Sequence, residues 1–217
     1  MKKFAGLIAF FALAAAAPAA PLVRDLGQGL AYCRVHVLPG DLATDASVAN
    51  RPCVLDVRYV QGGDADAGLL LAWLKAHAGP RTPVFLLANS ATSPILLAPL
   101  DSPDAVAGLV ILGPATPRFS PDIAVKVSPK VERRAYDALE KGAPVTSLID
   151  EVLDKPRVDE AKLTRDHLSD SAAPDDDEAD AGDTLPPPSA NPHPQLIDAV
   201  LQRAVQLHRA LLAMRRL

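Results

Sequence analysis

The chain has 217 residues, with 22 lysines and arginines, 26 aspartates and glutamates, 49% hydrophobic and 4% aromatic residues; that suffices for one ordinary domain plus tails, with a core that needs no covalent staple. Two cysteines exclude a disulfide scaffold and a Cys-rich zinc site, five histidines lack metal-ligand spacing, and no basic stripe with interleaved aromatics points to nucleic acid. The net charge of −4 is unevenly spread, because residues 166–202 hold nine acids and no Lys or Arg, leaving 22 bases against 17 acids elsewhere.

Lys2 and Lys3 precede an apolar run from Phe4 to Ala17, and Ala17-Pro18-Ala19 fits a small-x-small cleavage site. This is the pattern of a secretory signal peptide over residues 1–19, and the run is too short for a membrane anchor. The expectation is an exported protein, periplasmic or secreted, beginning near Ala20, with no stable membrane span after cleavage.

Leu30 to Leu38 alternates as a strand does and ends in the turn residues Pro39-Gly40-Asp41. Cys53 to Val60 is a second strand. Gly62-Gly63 break it, and Asp64 is placed to cap a helix over 65–77 that Gly79-Pro80 closes. Pro83 to Ala88 is a continuous apolar run, as a strand buried on both faces requires. A polar break at 89–94 leads to a short apolar stretch, Ile95 to Leu100, and two further strands are expected at 108–112 and 123–127. This alternation predicts an α/β layer with mostly parallel strands over residues 20–127.

A helical extension, residues 128–168, follows. Ser128 caps and Pro129 opens a helix to Lys141, stopped by Gly142; 145–153 is expected to form a second helix, ended by Pro156. Residues 169–194 hold almost no large apolar side chains, so they are expected to be a disordered acidic, proline-rich linker. Beyond it, within 195–217, Ile197, Val200, Ala204, Leu207, Leu211 and Met214 step by three and four, an apolar stripe along an amphipathic helix. That stripe must be covered, either by the chain's own core or by another chain.

Three segments carry a resemblance. Leu30-Ala31-Tyr32-Cys33-Arg34-Val35, Leu55-Asp56-Val57-Arg58-Tyr59-Val60-Gln61-Gly62-Gly63, and Asn89-Ser90-Ala91-Thr92-Ser93-Pro94 are similar, in order and spacing, to three motifs of the tail-specific, or C-terminal processing, serine peptidases. The resemblance implies a ClpP/crotonase-like α/β core. The family's chemistry requires a serine, a lysine that takes its proton, and two backbone N–H groups that bind the oxyanion. Gly62 and Gly63 match the family's glycine loop. Pro94 falls at the serine position; sliding by one makes Ser93 the nucleophile, followed by a proline with no N–H to give. After the next strand, Gly113 and Thr116 match the family pattern, but Phe119 stands at the lysine position.

The resemblance therefore implies a family core without its catalytic parts, acting as a peptide- or protein-binding or scaffold module whose partner the sequence does not name. The other reading is an active serine peptidase or hydrolase that uses Ser93 or Ser90 with an atypical base. Gly62, Gly63, Asn89 and Thr92 are the binding candidates; the glycines are either a residual anion-binding nest or a tight strand-to-helix turn. Asp56 and Arg58 share a strand face and can pair. Cys33 and Cys53 lie on two strands that export would allow a disulfide to join. No cofactor and no metal is expected.

Overall fold

The computed structural model describes residues 22–42, 48–102, 105–117, 119–149 and 196–217. The expected signal peptide, the extension from residue 150 onward and the acidic linker lie outside the described residues.

Six strands form one sheet: β1 (Leu22–Asp25), β2 (Ala31–Arg34), β3 (Cys53–Asp56), β4 (Val84–Leu87), β5 (Leu109–Gly113) and β6 (Ile123–Ala124). Their order across the sheet is their order in the chain, with β1 antiparallel to β2 and every later pair parallel. Four helices accompany them: α1 (Asp64–His77), α2 (Pro94–Leu97), α3 (Pro129–Glu140) and α4 (Ala199–Ala213). The protein is thus α/β, with a mostly parallel sheet and a C-terminal helix.

Successive strand residues point to opposite faces, so each strand feeds two cores. Cys33, Leu55 and Leu86 stand side by side in register and face one way, where α1 (Leu70, Trp73, Leu74) and α2 (Leu96, Leu97) cover them. Tyr32, Val54 and Phe85 face the other way, under Leu139 of α3, Leu148, and Val200, Leu201, Ala204 and Val205 of α4. The connections from β2 through to β5 all pass over the first face, which is why strand order never reverses. The sheet has no topological switch point, the usual origin of a ligand crevice in open α/β sheets.

Several boundaries differ from the sequence expectation. β2 stops at Arg34 because the Asp41 carboxylate accepts the His36 and Val37 N–H groups, at 2.8 and 2.9 Å, and pulls the chain out of the sheet. β3 stops at Asp56, whose Oδ1 takes the Arg58 N–H at 3.1 Å just before Tyr59 turns left-handed at φ 66°. β6 is short because its partner β5 ends at Gly113. Gly63, not Asp64, is the α1 N-cap. Residues 145–148 form a 3-10 turn rather than an α-helix. Strand β1 was not foreseen; its turn to β2 uses left-handed Gly27, Gln28 and Gly29. The α3 expectation holds, with Ser128 Oγ accepting the Val131 N–H at 3.4 Å.

The C-terminal helix packs on its own chain, against β4 and β5. Its buried face is rotated from the expected stripe toward Leu201, Val205 and His208, and Met214 is 60% exposed. Burying side chains of the size of Val200, Leu201 and Val205 contributes about 1.5–3 kcal/mol each, and His208 anchors the helix through Nε2, 3.1 Å from the Gln28 carbonyl.

Candidate functional site

The structure brings Gly62, Gly63 and Ser93 together and places Asn89 and Thr92 beside them. Most of their polar groups are bonded within the chain. The Ser93 hydroxyl donates to the Gly62 carbonyl at 2.9 Å, and the Ser93 N–H donates to Val60 O at 2.9 Å. The Gly63 N–H donates to Asp66 Oδ2 at 3.0 Å, so a carboxylate of the chain itself sits where an oxyanion or ligand carboxylate would lie. Gly62 is glycine because α2 comes too close for anything larger: a Cβ there would lie 2.7 Å from Leu96 Cδ2. Pro94 opens α2 directly after Ser93 and offers no N–H.

Thr92 Oγ1 donates to Val57 O and accepts the Asn89 N–H, both at 3.1 Å, which ties the end of β4 to the end of β3. Ser90 is exposed on that turn. Phe119 is partly buried against the first core and pairs its backbone with Thr116, while Lys126 is exposed beyond β6.

Cys33 and Cys53 are buried and not joined to each other. They sit on adjacent strands but two positions out of register, since Cys33 faces Leu55 and Cys53 faces Ala31. Such a diagonal separates Cα atoms by about 7–8 Å, beyond the usual reach of a disulfide. Burial, reinforced by the neighbouring Cys33 and opposed by Arg51, pushes the Cys53 thiol up to about 12.

The largest concentration of polar chemistry lies on the second face, at the carboxyl ends of the strands. There the inward alternation that buries Tyr32, Val54 and Phe85 continues into Arg34, Asp56, Arg58 and Asn89, all buried. Arg58 grips two carboxylates. Its Nε and Nη2 lie 2.9 and 2.6 Å from Asp56 Oδ1 and Oδ2, and its Nη1 and Nη2 lie 3.1 and 2.8 Å from Asp198 Oδ1 and Oδ2. The Tyr32 hydroxyl adds a 2.8 Å bond to Asp56 Oδ2. Burial alone would raise the Asp56 carboxyl; the Arg58 guanidinium overcomes this and holds it below its ordinary value.

Arg34 completes the cluster. Its guanidinium lies 3.5 Å from the centroid of the Tyr136 ring, and its Nη2 donates to the Tyr136 carbonyl at 3.1 Å and reaches Glu140 at 3.2 Å. Nε and Nη1 have no hydrogen-bond partner among the described residues, and the π-face of the ring supplies the attraction instead. Arg58 thus pairs with both Asp56 and Asp198, and Arg34 with Glu140. The carboxyl of Glu132, on the first turn of α3, is in excess. Burial, joined by Asp198 and Asp56 and opposed by Arg58 and an Asn89 bond, raises it above its ordinary value.

Helix α3 therefore crosses the strand ends, placing Glu132 near Asn89, Tyr136 near Arg58 and Glu140 near Arg34. Between it and the loops lies an open cleft of about 450 Å³, lined by His36, Tyr59, Val60, Arg133, Tyr136, Asp137 and Glu140. Tyr59 and Tyr136 meet edge to face at 4.7 Å, and Arg133 lies 4.7 Å from the Tyr59 ring centroid. His36 Nε2 lies 2.6 Å from Glu140 Oε1. Burial, and next the Glu132 charge, push the Tyr59 phenol up to about 12. A bulky residue in the left-handed region is strained, and strain of this kind collects at functional positions.

Sequence reasoning found Asp56–Arg58 but missed Tyr59, Glu132, Tyr136 and Asp198. Tyr59 follows the polar interruption at the end of β3, whereas Glu132 and Tyr136 on α3 and Asp198 at the start of α4 carry no local signal. Among the described residues no group of three or more His, Cys, Asp or Glu is placed to hold a metal ion, and no helix is long and apolar enough to cross a membrane. No family model, curated protein or solved structure matches the chain.

Proposed function

We propose that this is an exported protein with a tail-specific-peptidase-like core of the ClpP/crotonase type that has lost hydrolysis, and that it holds a peptide or protein segment in the cleft between α3 and the strand ends. The observation that carries this reading is the bond from the Gly63 N–H to Asp66. A binding pocket for an oxyanion needs free, preorganised donors, and here one candidate donor is occupied while the residue after Ser93 has none. The Ser93 hydroxyl faces a carbonyl instead of a base. The cleft in turn offers two tyrosine rings, an arginine and a histidine–carboxylate pair, the mixture of aromatic and polar groups found in protein-recognition surfaces. Export rests on the Lys2-Lys3, Phe4–Ala17 and Ala17-Pro18-Ala19 pattern.

Two measurements test the reading together. A serine-directed fluorophosphonate probe is expected to leave the processed protein unlabelled, and peptide-library binding is expected to be lost in Tyr59→Ala and Arg133→Ala. Labelling that vanishes in Ser93→Ala or Ser90→Ala restores the hydrolase; binding that survives both cleft substitutions removes the cleft from the function.

A further inference from the structure

Helix α3 has two faces of opposite character. Glu132, Ala135, Tyr136 and Leu139 are buried against the sheet. Lys130, Arg134 and Lys141 are exposed and, at 3.6 residues per turn, lie within about 40° of one another on the opposite side. Asp137 falls on the same stripe, but Arg133 Nε holds its carboxylate at 2.8 Å. The stripe therefore presents three cations, and none of them has an ion-pair partner among the described residues.

The same chain contains a match in charge. Asp175, Asp176, Asp177, Glu178, Asp180 and Asp183 fall within a stretch that has no Lys or Arg. The segment that carries them is anchored at both ends beside α3. The Asp198 N–H donates to Leu148 O at 2.9 Å, so the chain leaves and returns at one point. Asp198 is in turn bound to Arg58, whose guanidinium lies 5.5 Å from the Tyr136 ring of α3. The run 175–183 is separated from Leu148 by 26 residues and from Asp198 by 14, coil spans of about 28 and about 21 Å, against a length of about 18 Å for α3.

We propose that the acidic run 175–183 is the occupant of the Lys130–Arg134–Lys141 face, so that this surface is engaged within the chain. The contact is electrostatic and exposed, so it is salt-sensitive. An acidic partner that used the same stripe would have to compete with the run.

Carbodiimide cross-linking of the full chain, read by mass spectrometry, tests this. The expected result is amide links from Lys130 and Lys141 to acids between 175 and 183, within one molecule, at low salt. They should disappear at about 1 M salt, where screening is complete within ~3 Å, and should be reduced when Arg134→Glu removes the central cation. Circular dichroism checks that the fold of this exposed-site variant is unchanged. Mixed isotope-labelled samples separate the sources: links only between differently labelled copies assign the stripe to a second molecule and overturn the proposal. Absence of any link from Lys130 or Lys141 to the run overturns it too.

Discussion

Arg58 and Asp198 are 140 positions apart in sequence yet share two hydrogen bonds, at 3.1 and 2.8 Å, with neither side chain more than 1% exposed. Asp198 is also the N-cap of α4, accepting the Leu201 N–H at 3.1 Å. One carboxylate thus fixes the start of the last helix and neutralises a buried strand-end cation.

Asp198→Ala is expected to cost about 3–5 kcal/mol, because it strands part of a buried charge and removes a cap. Urea unfolding followed by circular dichroism measures it. A loss below 1 kcal/mol or so, the range of a surface pair, would show that the bond is not buried in solution.

Asp56 and Glu132 give opposite pH dependences. The Asp56 carboxyl is held below its ordinary value in the folded protein, so its contribution is complete above the unfolded pKa of about 3.9 and is lost as pH falls through the folded one. Glu132 is raised; its ionisation weakens the fold as pH climbs from about 4.3, the unfolded value, through the higher folded value. Glu132→Gln keeps an acceptor for Asn89 and is expected to be more stable than the parent at pH 7, with the difference vanishing toward pH 4 or so. Urea midpoints across that range decide it, and a pH-independent difference contradicts the assignment.

Two glycines predict opposite outcomes for the same change. At Gly113 a Cβ would lie 2.0 Å from the Ala88 carbonyl oxygen, which belongs to the adjoining β4 segment and cannot move alone. Gly113→Ala is expected to cost about 3 kcal/mol or more. Gly68 lies inside α1 with nothing within 4 Å of an added Cβ, so Gly68→Ala is expected to gain about 0.5–1 kcal/mol. Thermal melts of the two variants should move in opposite directions.

Burial raises the Tyr32 and Tyr136 phenols too, so Tyr59 is identified by comparing the titration of the parent with that of Tyr59→Phe. The Tyr59 phenol is raised to about 12, so one tyrosine is expected to ionise at about that pH in the folded protein, and Tyr59→Phe removes that step. A step near the ordinary value of about 10 that is lost in Tyr59→Phe would mean that burial and Glu132 do not act on it.

The strands legible from sequence are those with apolar runs bounded by turn signals. Val84–Leu87 and Leu109–Gly113 are apolar throughout, and Ala31–Arg34 and Cys53–Asp56 combine apolar residues with turn signals. β1 escaped notice because four residues ending in Arg24 and Asp25 carry too short a pattern. Strand ends were overestimated because local side-chain bonds from Asp41 and Asp56 compete with the ladder, and spacing does not encode them. Half of the buried cluster follows from Arg34, Asp56 and Arg58 sharing a face by alternation. The other half comes from α3 and α4, whose docking is set by tertiary packing that no local pattern specifies.

Strand order equal to chain order has a consequence for how the molecule assembles. Each new parallel strand meets its neighbour as soon as one crossover has formed, so the sheet can grow from β2 to β6 as the chain lengthens, with only modest loop-closure entropy at each step. The second core is different, since Phe85, Leu87 and Leu112 receive α4 only after all six strands and the long segment behind them have been made. Until then the half-built molecule displays a sticky apolar wall and an Arg58 with one carboxylate fewer. Helix α4, made after the whole sheet, is therefore the segment that ends its exposure to aggregation and to proteolysis.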